Sequence, residues 1–297
     1  MALSDYFLYQ LSQRMPDRMV HRYKDESLDN NTPGTEAYNL AYARFQFNRK
    51  VRVGLGQSVM GLDILELGCG HGGISCFMAV AGARSVIGID LNVTNLRVAE
   101  RFAEEVSSRL GFPSGLHVAF KEMRAETTDF ADNSFDTVVA DNLIEHVDNP
   151  LAVMKEAHRV LRPGGSLLIP NFPSILSRNG LHLKYGFNIP WANLLFSDET
   201  IIKTLRRIAQ NDATMYSVYP GLSGECNEIK DVRRYKDLNG MKYARFKQLA
   251  KQADFQIVDF TVSPSGYLGK LLTKVPLLRN STLTDVMSVG ASAVLRK

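Results

Sequence analysis

The sequence predicts an α/β fold in which helices cover a doubly wound, seven-stranded and mostly parallel sheet. Three observations support this prediction. Short apolar runs alternate with amphipathic segments from about residue 61 onward, which is typical of parallel strands joined by crossover helices. A glycine-rich turn at residues 68–73 follows the first apolar run. Asp90 ends the next run 22 residues after Gly68, a spacing expected for the first strands of a doubly wound sheet.

Apolar periodicity and turn signals locate the individual elements. Helical periodicity occurs at residues 35–53, 74–81, 92–110, 150–161 and 242–253, and a short helix is predicted at residues 3–15. Thr35 and Asn149 are predicted N-caps, and Pro150 follows Asn149 at the first helical position. Strands are predicted at residues 64–67, 85–90, 116–120, 134–140, 166–170, 255–262 and 285–296, with a turn at residues 162–165.

Composition limits the class of protein. The chain has 297 residues, 45% hydrophobic and 22% charged, which is ordinary for a globular protein with one large core or two small ones. Its three cysteines, Cys69, Cys76 and Cys226, have no metal-ligand spacing, so we expect no metal site and a reducing cytoplasmic location. Residues 1–10 do not resemble a signal peptide. No apolar run approaches the roughly 20 residues of a membrane-spanning helix.

Charge is distributed unevenly along the chain. Residues 1–170 contain 17 basic and 21 acidic side chains, whereas residues 171–297 contain 18 basic and 10 acidic ones. The basic C-terminal part predicts an anionic partner, such as a phosphorylated substrate, a lipid head group or nucleic acid. A solvated basic surface without a partner is the alternative.

The glycine-rich turn has a recognisable pattern. Residues 66–72 read Glu-Leu-Gly-Cys-Gly-His-Gly, which resembles motif I of the class I S-adenosyl-L-methionine (SAM) methyltransferases, an acidic residue, any residue and then alternating glycines. The resemblance implies a Rossmann-like core that binds SAM and releases S-adenosyl-L-homocysteine. It assigns cofactor binding to Glu66, Gly68, Cys69, Gly70 and Gly72.

Asp90 has the spacing of an acid that accepts hydrogen bonds from ribose hydroxyls, although a solvated acid at a strand end is the alternative. Leu91 would then pack on the adenine. Relatives often have Asp-Ala-Glu after the third strand, where this chain has Arg124, Ala125 and Glu126. The departure at Arg124 removes a usual adenine contact, whereas the backbone N–H of Ala125 needs no particular side chain.

Residues 141–147 read Asp-Asn-Leu-Ile-Glu-His-Val. They resemble motif IV of the small-molecule branch, the type 11 group that includes the quinone-biosynthesis methyltransferases, and the Arg-Pro-Gly-Gly turn at residues 162–165 is typical of the same branch. This resemblance adds Asp141, Asn142 and Leu143 to the cofactor-binding residues. It covers roughly residues 60–170.

A hydroxyl acceptor needs a base near the donor methyl group. His146, with the adjacent Glu145, is the first candidate because the pair follows the motif IV strand. A local capping or packing role for His146 is the alternative. His182, Glu225 and Glu228 are weaker candidates.

The resemblance also organises the rest of the chain. Residues 1–60 are predicted to form a helical lid, residues 61–170 the SAM-binding core, residues 171–240 an inserted substrate cap, and residues 241–297 the completion of the sheet with an antiparallel last strand. Aromatic residues of the predicted helix at residues 35–53 could line a substrate pocket or pack in the core: Tyr38, Tyr42, Phe45 and Phe47. The apolar and basic residues 267–272 could touch a membrane, but a packed helix is the preferred interpretation.

The sequence therefore predicts a SAM-dependent methyltransferase that O-methylates a small molecule. The Ile189-Pro190-Trp191 segment resembles methyltransferases of bacterial surface-sugar pathways, which favours a sugar or lipid-linked acceptor. C-methylation of a quinone-like ring, RNA methylation and non-catalytic SAM binding are the alternatives. The sequence lacks the Asp/Asn-Pro-Pro-aromatic motif of base-amino methyltransferases, so a nucleic-acid substrate is disfavoured. The fingerprint of nicotinamide dehydrogenases is usually Gly-x-Gly-x-x-Gly. Here the glycines alternate after Glu66, and the Glu-His-Val and Arg-Pro-Gly-Gly segments follow, so a dehydrogenase is disfavoured. Oligomeric state is not predicted.

Overall fold

The computed structural model describes residues 35–53, 59–112, 116–183, 187–213, 215–216, 219, 222, 230–274 and 281–297. The predicted helix at residues 3–15, Glu225 and Glu228 lie outside these residues. Most of the predicted lid at residues 1–60 does too. Within the described residues, no helix is both long enough and apolar enough to span a bilayer.

One seven-stranded sheet forms the centre of the molecule. Its strands are β1 (Asp63–Leu67), β2 (Ser85–Asp90), β3 (His117–Glu122), β4 (Phe135–Val139), β5 (Leu161–Phe172), β6 (Gln256–Pro264) and β7 (Ser288–Arg296). They are arranged in the order β3-β2-β1-β4-β5-β7-β6. Strands β1 to β5 pair in parallel, whereas β7 is antiparallel to both β5 and β6. The predicted fold class is confirmed.

Helices connect and cover these strands. They are α1 (Glu36–Val53), α2 (Gly73–Val80), α3 (Val93–Leu110), α4 (Pro150–Val160), α5 (Ala192–Leu195), α6 (Asp198–Ala209), α7 (Tyr243–Gln252), α8 (Gly266–Lys274) and α9 (Thr282–Val286), with a 3₁₀ helix at Val232–Lys236. The predicted caps form: Thr35 Oγ1 accepts from Tyr38 N at 3.3 Å, and Asn149 Oδ1 accepts from Ala152 N at 3.1 Å. Each cap satisfies a backbone N–H that has no partner inside the helix.

Two predicted boundaries were wrong. The last strand begins at Ser288 rather than at residue 285, because Asp285 belongs to α9. Its buried carboxylate accepts hydrogen bonds from Ser174 Oγ and Tyr243 N, which hold it in the helical turn. The predicted turn at residues 162–165 is part of β5, where it appears as a register shift against β4. Gly164 supplies the required positive φ of 77°.

The hydrophobic residues form separate clusters. The main cluster packs the sheet against α4 and α7 and includes Leu65, Val138 and Phe246. Residues 171–240, called here the inserted segment, contribute a cluster of their own that includes Phe187, Ile201 and Leu205. The inserted segment therefore has an apolar centre distinct from that of the sheet.

Candidate active site

The turn after β1 depends on glycine. Gly68, Gly70 and Gly72 have φ values of 66°, 51° and 75°, in the left-handed region that side chains with a Cβ disfavour. A Cβ on Gly68 would stand 2.8 Å from Leu143 Cδ1. Leu143 therefore packs directly against Gly68. A Cβ on Gly70 would meet nothing within 4 Å, so the turn is open at Gly70.

Asp90 ties the turn to the end of β2. Its Oδ2 accepts a hydrogen bond from Gly70 N at 2.9 Å, and its Oδ1 accepts one from Asn92 N at 2.8 Å. Each carboxylate oxygen can accept a further hydrogen bond. Asp90 is thus fixed in orientation and still able to accept from the hydroxyls of a ligand.

A cavity of about 250 Å³ opens beside the turn. Its lining comes from α1, β1, the turn, α2, α3 and the residues after β4: Tyr42, Ala43, Gln46, Glu66, Gly68, Cys69, Gly70, His71, Gly73, Ile74, Asn95, Asp141 and Asn142. Gln46 Oε1 and His71 Nδ1 are buried without a hydrogen-bond partner in the described part of the molecule. Unsatisfied buried polar atoms are costly, so they indicate a cavity suited to a polar ligand.

The ionisable groups around the turn are held in defined states. Burial raises the pKa of the Cys69 thiol well above its usual range and that of Cys76 to about 12, so both thiols are protonated at neutral pH. Burial lowers the pKa of His71, which keeps its ring neutral. Glu66 accepts a hydrogen bond from Ser75 Oγ at 2.5 Å, and this contact anchors α2 to β1.

Asp141 and Asn142 follow β4 and complete the cavity wall. Asn142 has a left-handed φ of 51°, and Asn171 at the end of β5 stabilises this conformation. Asn142 N donates to Asn171 O at 2.9 Å, and Asn171 Nδ2 donates to Asn142 Oδ1 at 2.7 Å. The two neighbouring strand ends therefore fix the orientation of the Asn142 amide.

Glu145 and His146 lie one turn further along the chain. His146 Nδ1 is 2.8 Å from Lys236 O. Because a carbonyl oxygen only accepts, Nδ1 must carry the proton and the neutral ring has its lone pair on Nε2. His146 Nε2 lies 3.9 Å from Oε1 of Glu145, whose side chain is only 3% exposed.

The inserted segment adds His182 to this pair, with ring centroids of His146 and His182 5.0 Å apart. Glu145, His146 and His182 each offer a ligand atom, and these atoms all lie within 4.8 Å of one another. Such a cluster could hold a divalent cation. The expectation of no metal site rested on cysteine spacing and remains a prediction.

Asn239 holds the turn that carries Glu145 and His146. Its Nδ2 donates to Ile144 O and Val147 O, both at 2.8 Å, and its backbone N donates to Glu145 O at 2.9 Å. Sequence analysis missed Asn239 and the carbonyl of Lys236, since an asparagine and a backbone oxygen about 90 residues away carry no local pattern.

Several predicted cofactor-binding residues are not part of the cavity lining, among them Gly72, Leu91, Ala125 and Glu126. Leu91 is exposed after β2, and Ala125 is buried in the main cluster. Glu126 Oε2 is 3.7 Å from Nε of Arg124. Gly72 packs against α3, because a Cβ there would stand 2.8 Å from Ala99 Cβ.

Sequence analysis also missed Gln46, His71 and Asn95 as cavity-lining residues. His71 could have been found from its position inside the glycine turn. Tyr42, one of the four aromatic residues considered for a pocket, lines the cavity and packs edge-on against His71. Phe47 packs instead against the rings of Phe77 and Phe102.

The strand order, the glycine turn and the acid at the end of β2 are the features that sequence analysis expects of a class I SAM methyltransferase core. Residues 65–169 match the family model described as "Methyltransferase domain". SAM is the cofactor of this class. The glycine cradle, Asp90 and the unpartnered atoms of Gln46 and His71 fit a ligand with hydroxyl, amino and carboxylate groups.

Named relatives match part of the chain. The ubiquinone biosynthesis O-methyltransferase of Ruegeria pomeroyi is 38% identical over 105 residues, covering 35% of this chain and 39% of the relative. That of Pseudomonas syringae pv. tomato is 34% identical over 125 residues, covering 41% and 47%. The chain therefore matches less than half the length of these curated relatives.

A solved S-adenosylmethionine-dependent methyltransferase from Mesorhizobium loti is 15% identical to the chain. The match covers 86% of this chain and 98% of that one, with a TM-score of 0.50. At this identity the similarity concerns the fold alone.

Proposed function

We propose that the chain is a cytoplasmic SAM-dependent methyltransferase that transfers a methyl group to a hydroxyl of a small molecule, with His146 as the general base. The observation that carries this proposal is the hydrogen bond from His146 Nδ1 to Lys236 O, because it leaves Nε2 as a proton acceptor beside the motif IV turn. The relatives named as O-methyltransferases support the choice of a hydroxyl acceptor. The free thiols of Cys69 and Cys76 support a reducing compartment.

Bound SAM supplies a methyl group that is already activated by its sulfonium. The chain must therefore position the reactants, and orientation alone can contribute as much as ~7–11 kcal/mol toward the barrier. In this proposal Asp90 accepts from the ribose hydroxyls, and the backbone of Gly68 and Gly70 lies along the ligand. Gln46 Oε1 accepts from a ligand N–H group inside the cavity.

His146 takes the acceptor's proton onto Nε2 as the hydroxyl oxygen becomes the nucleophile. The ring then carries a positive charge, and two groups stabilise it. Lys236 O already accepts from Nδ1 at 2.8 Å, and Glu145 Oε1 lies 3.9 Å from Nε2. A buried carboxylate at this distance strengthens a neighbouring histidine as a base.

The inserted segment forms the acceptor cap in this proposal, because it brings His182 and Lys236 to His146. The basic excess of residues 171–297 favours an anionic acceptor, including a sugar or lipid-linked one. C-methylation of a quinone-like ring is the second candidate, since it needs the same cavity and a base at the same place.

Calorimetric titration of the purified protein with SAM, S-adenosylhomocysteine and NADH tests the cofactor. We expect micromolar binding of the first two and none of NADH. Binding of NADH alone would contradict the proposal.

A screen for S-adenosylhomocysteine formation with hydroxylated and quinone-like acceptors tests the acceptor, and mass spectrometry identifies the methylated atom. SAM binding without turnover on any acceptor would favour a non-catalytic binding protein.

A further inference from the structure

Helix α8 turns apolar side chains toward solvent. Its buried residues are Gly269 and Leu272, whereas Tyr267, Leu268 and Leu271 are 85%, 53% and 50% exposed. Large apolar side chains that share one exposed helix face commonly mark an interaction site. We call the exposed residues of α8, together with Leu283 of the neighbouring α9, the α8 surface.

Packing fixes the rotation of α8. A Cβ on Gly269 would stand 2.5 Å from Met287 O, so the helix backbone lies directly against the chain between α9 and β7. Ser265, just before the helix, donates its backbone N–H to Met287 O at 2.8 Å. These contacts require Gly269 to face inward, so the helix cannot rotate its apolar residues out of solvent.

The α8 surface is basic as well as apolar. Lys270 and Lys274 are exposed on the same helix, and Arg279 follows in the sequence. No acidic residue occurs between residues 260 and 284. Helices that lie in the interface of anionic membranes combine large apolar side chains with lysine or arginine. The α8 surface has this composition and contains no acidic residue.

We propose that the α8 surface docks on a lipid bilayer that carries anionic head groups. Tyr267, Leu268 and Leu271 enter the boundary between head groups and acyl chains, and Lys270 and Lys274 contact lipid phosphates. A second copy of this chain fits less well. A twofold contact would place the lysines of one copy against those of the other.

Hydrogen bonds connect the proposed cap to the chain next to the α8 surface. Trp191 Nε1 donates to Val286 O at 2.7 Å, and Arg178 N donates to Ser288 O at 3.0 Å. The inserted segment is therefore bonded to the end of α9 and the start of β7. The inference does not depend on methyl transfer, because lipid binding is measured without SAM or acceptor.

Co-sedimentation with vesicles tests the proposal. We expect the protein to bind vesicles of equal phosphatidylglycerol and phosphatidylcholine at 0.1 M salt, to bind pure phosphatidylcholine weakly, and to be released as salt screens the lysines. The double variant Leu268→Glu/Leu271→Glu should lose binding to the anionic vesicles. The matched control is Met60→Glu/Leu110→Glu, which introduces the same charges at exposed apolar positions elsewhere and should bind normally.

A second pair of variants tests the charges without touching the apolar face. Lys270→Glu/Lys274→Glu should weaken binding by at least about tenfold, since each basic residue near an anionic surface contributes roughly a fivefold gain in affinity. Lys155→Glu, an exposed lysine on α4, is the control. Circular dichroism verifies that each variant is folded.

Absence of wild-type binding to anionic vesicles would overturn the proposal, as would equal binding by the α8 variants and their controls. Light scattering tests the alternative that a second copy of the chain covers the α8 surface. If the wild type is a dimer that Leu268→Glu/Leu271→Glu converts to a monomer, the α8 surface is a contact between copies and the lipid assignment is wrong.

Discussion

The proposed cofactor side and the proposed acceptor side of the site are built in different ways. Gly68, Gly70 and Asp90 lie in one strand-helix-strand unit and are joined by the hydrogen bond from Gly70 N to Asp90. The turn with Glu145 and His146 is instead held by Lys236 and Asn239, about 90 residues later in the chain. Local sequence therefore builds the cofactor side, whereas the acceptor side depends on how the inserted segment packs.

The comparison predicts that the two sides can be damaged independently, and His146→Ala should give the largest effect. Loss of a general base typically costs 10²–10⁴-fold in rate, so we expect kcat to fall in this range with an unchanged Kd for SAM. The measurement is S-adenosylhomocysteine formation together with SAM titration. His117→Ala, an exposed histidine on β3, is the control, and normal turnover in His146→Ala would remove this residue from the reaction.

Asp90→Ala should damage the cofactor side. It removes two or more hydrogen bonds to a charged group, each worth about 1.5–3 kcal/mol, so the Kd for SAM should rise by roughly 100-fold or more. Asp90→Asn retains one acceptor oxygen and should have a smaller effect. Calorimetry measures both, with the exposed Asp129→Ala as control. A fall in kcat at saturating SAM with an unchanged Kd would contradict the division between the two sides.

Alanine substitutions at Gly72 and Gly70 test whether the two glycines have different roles in the turn. Gly72 is expected to serve packing, and Gly70 to leave room for a ligand. The substitution Gly72→Ala would place a Cβ 2.8 Å from Ala99 Cβ and 3.1 Å from Ala99 Cα. Backbone strain and overpacking should together lower the free energy of unfolding by about 2–4 kcal/mol. A Cβ on Gly70 meets nothing within 4 Å, so Gly70→Ala should cost only the left-handed strain, about 1–2 kcal/mol. Urea denaturation compares the two, and equal losses would contradict this assignment.

Asn239→Ala should give the smallest effect, on the acceptor side alone. It removes the two side-chain hydrogen bonds to Ile144 O and Val147 O, while the backbone bond to Glu145 O remains. At about 0.5–1.5 kcal/mol per bond, we expect kcat to fall roughly tenfold with an unchanged Kd for SAM. Asn211→Ala, an exposed residue on the inserted segment, is the control. A weakened Kd for SAM would show that the two sides are coupled.

Much of the fold was predictable because its signals are short in range. Alternating apolar runs, the caps Thr35 and Asn149 and the glycine turn each act within a few residues, and the structure confirms the sheet that they predict. The end of the chain was harder to predict. Asp285 looks like part of a strand by sequence, but its hydrogen bonds to Ser174 Oγ and Tyr243 N come from distant segments.

The sequence by itself determined the doubly wound core and its glycine turn. Alternating glycines at positive φ and an acid at the end of the next strand need only local backbone geometry to form a ligand cradle. Tertiary structure decided which groups surround His146, which ring nitrogen carries its proton and which face of α8 meets solvent. These features depend on contacts between segments far apart in the chain, and no local pattern of residues specifies such contacts.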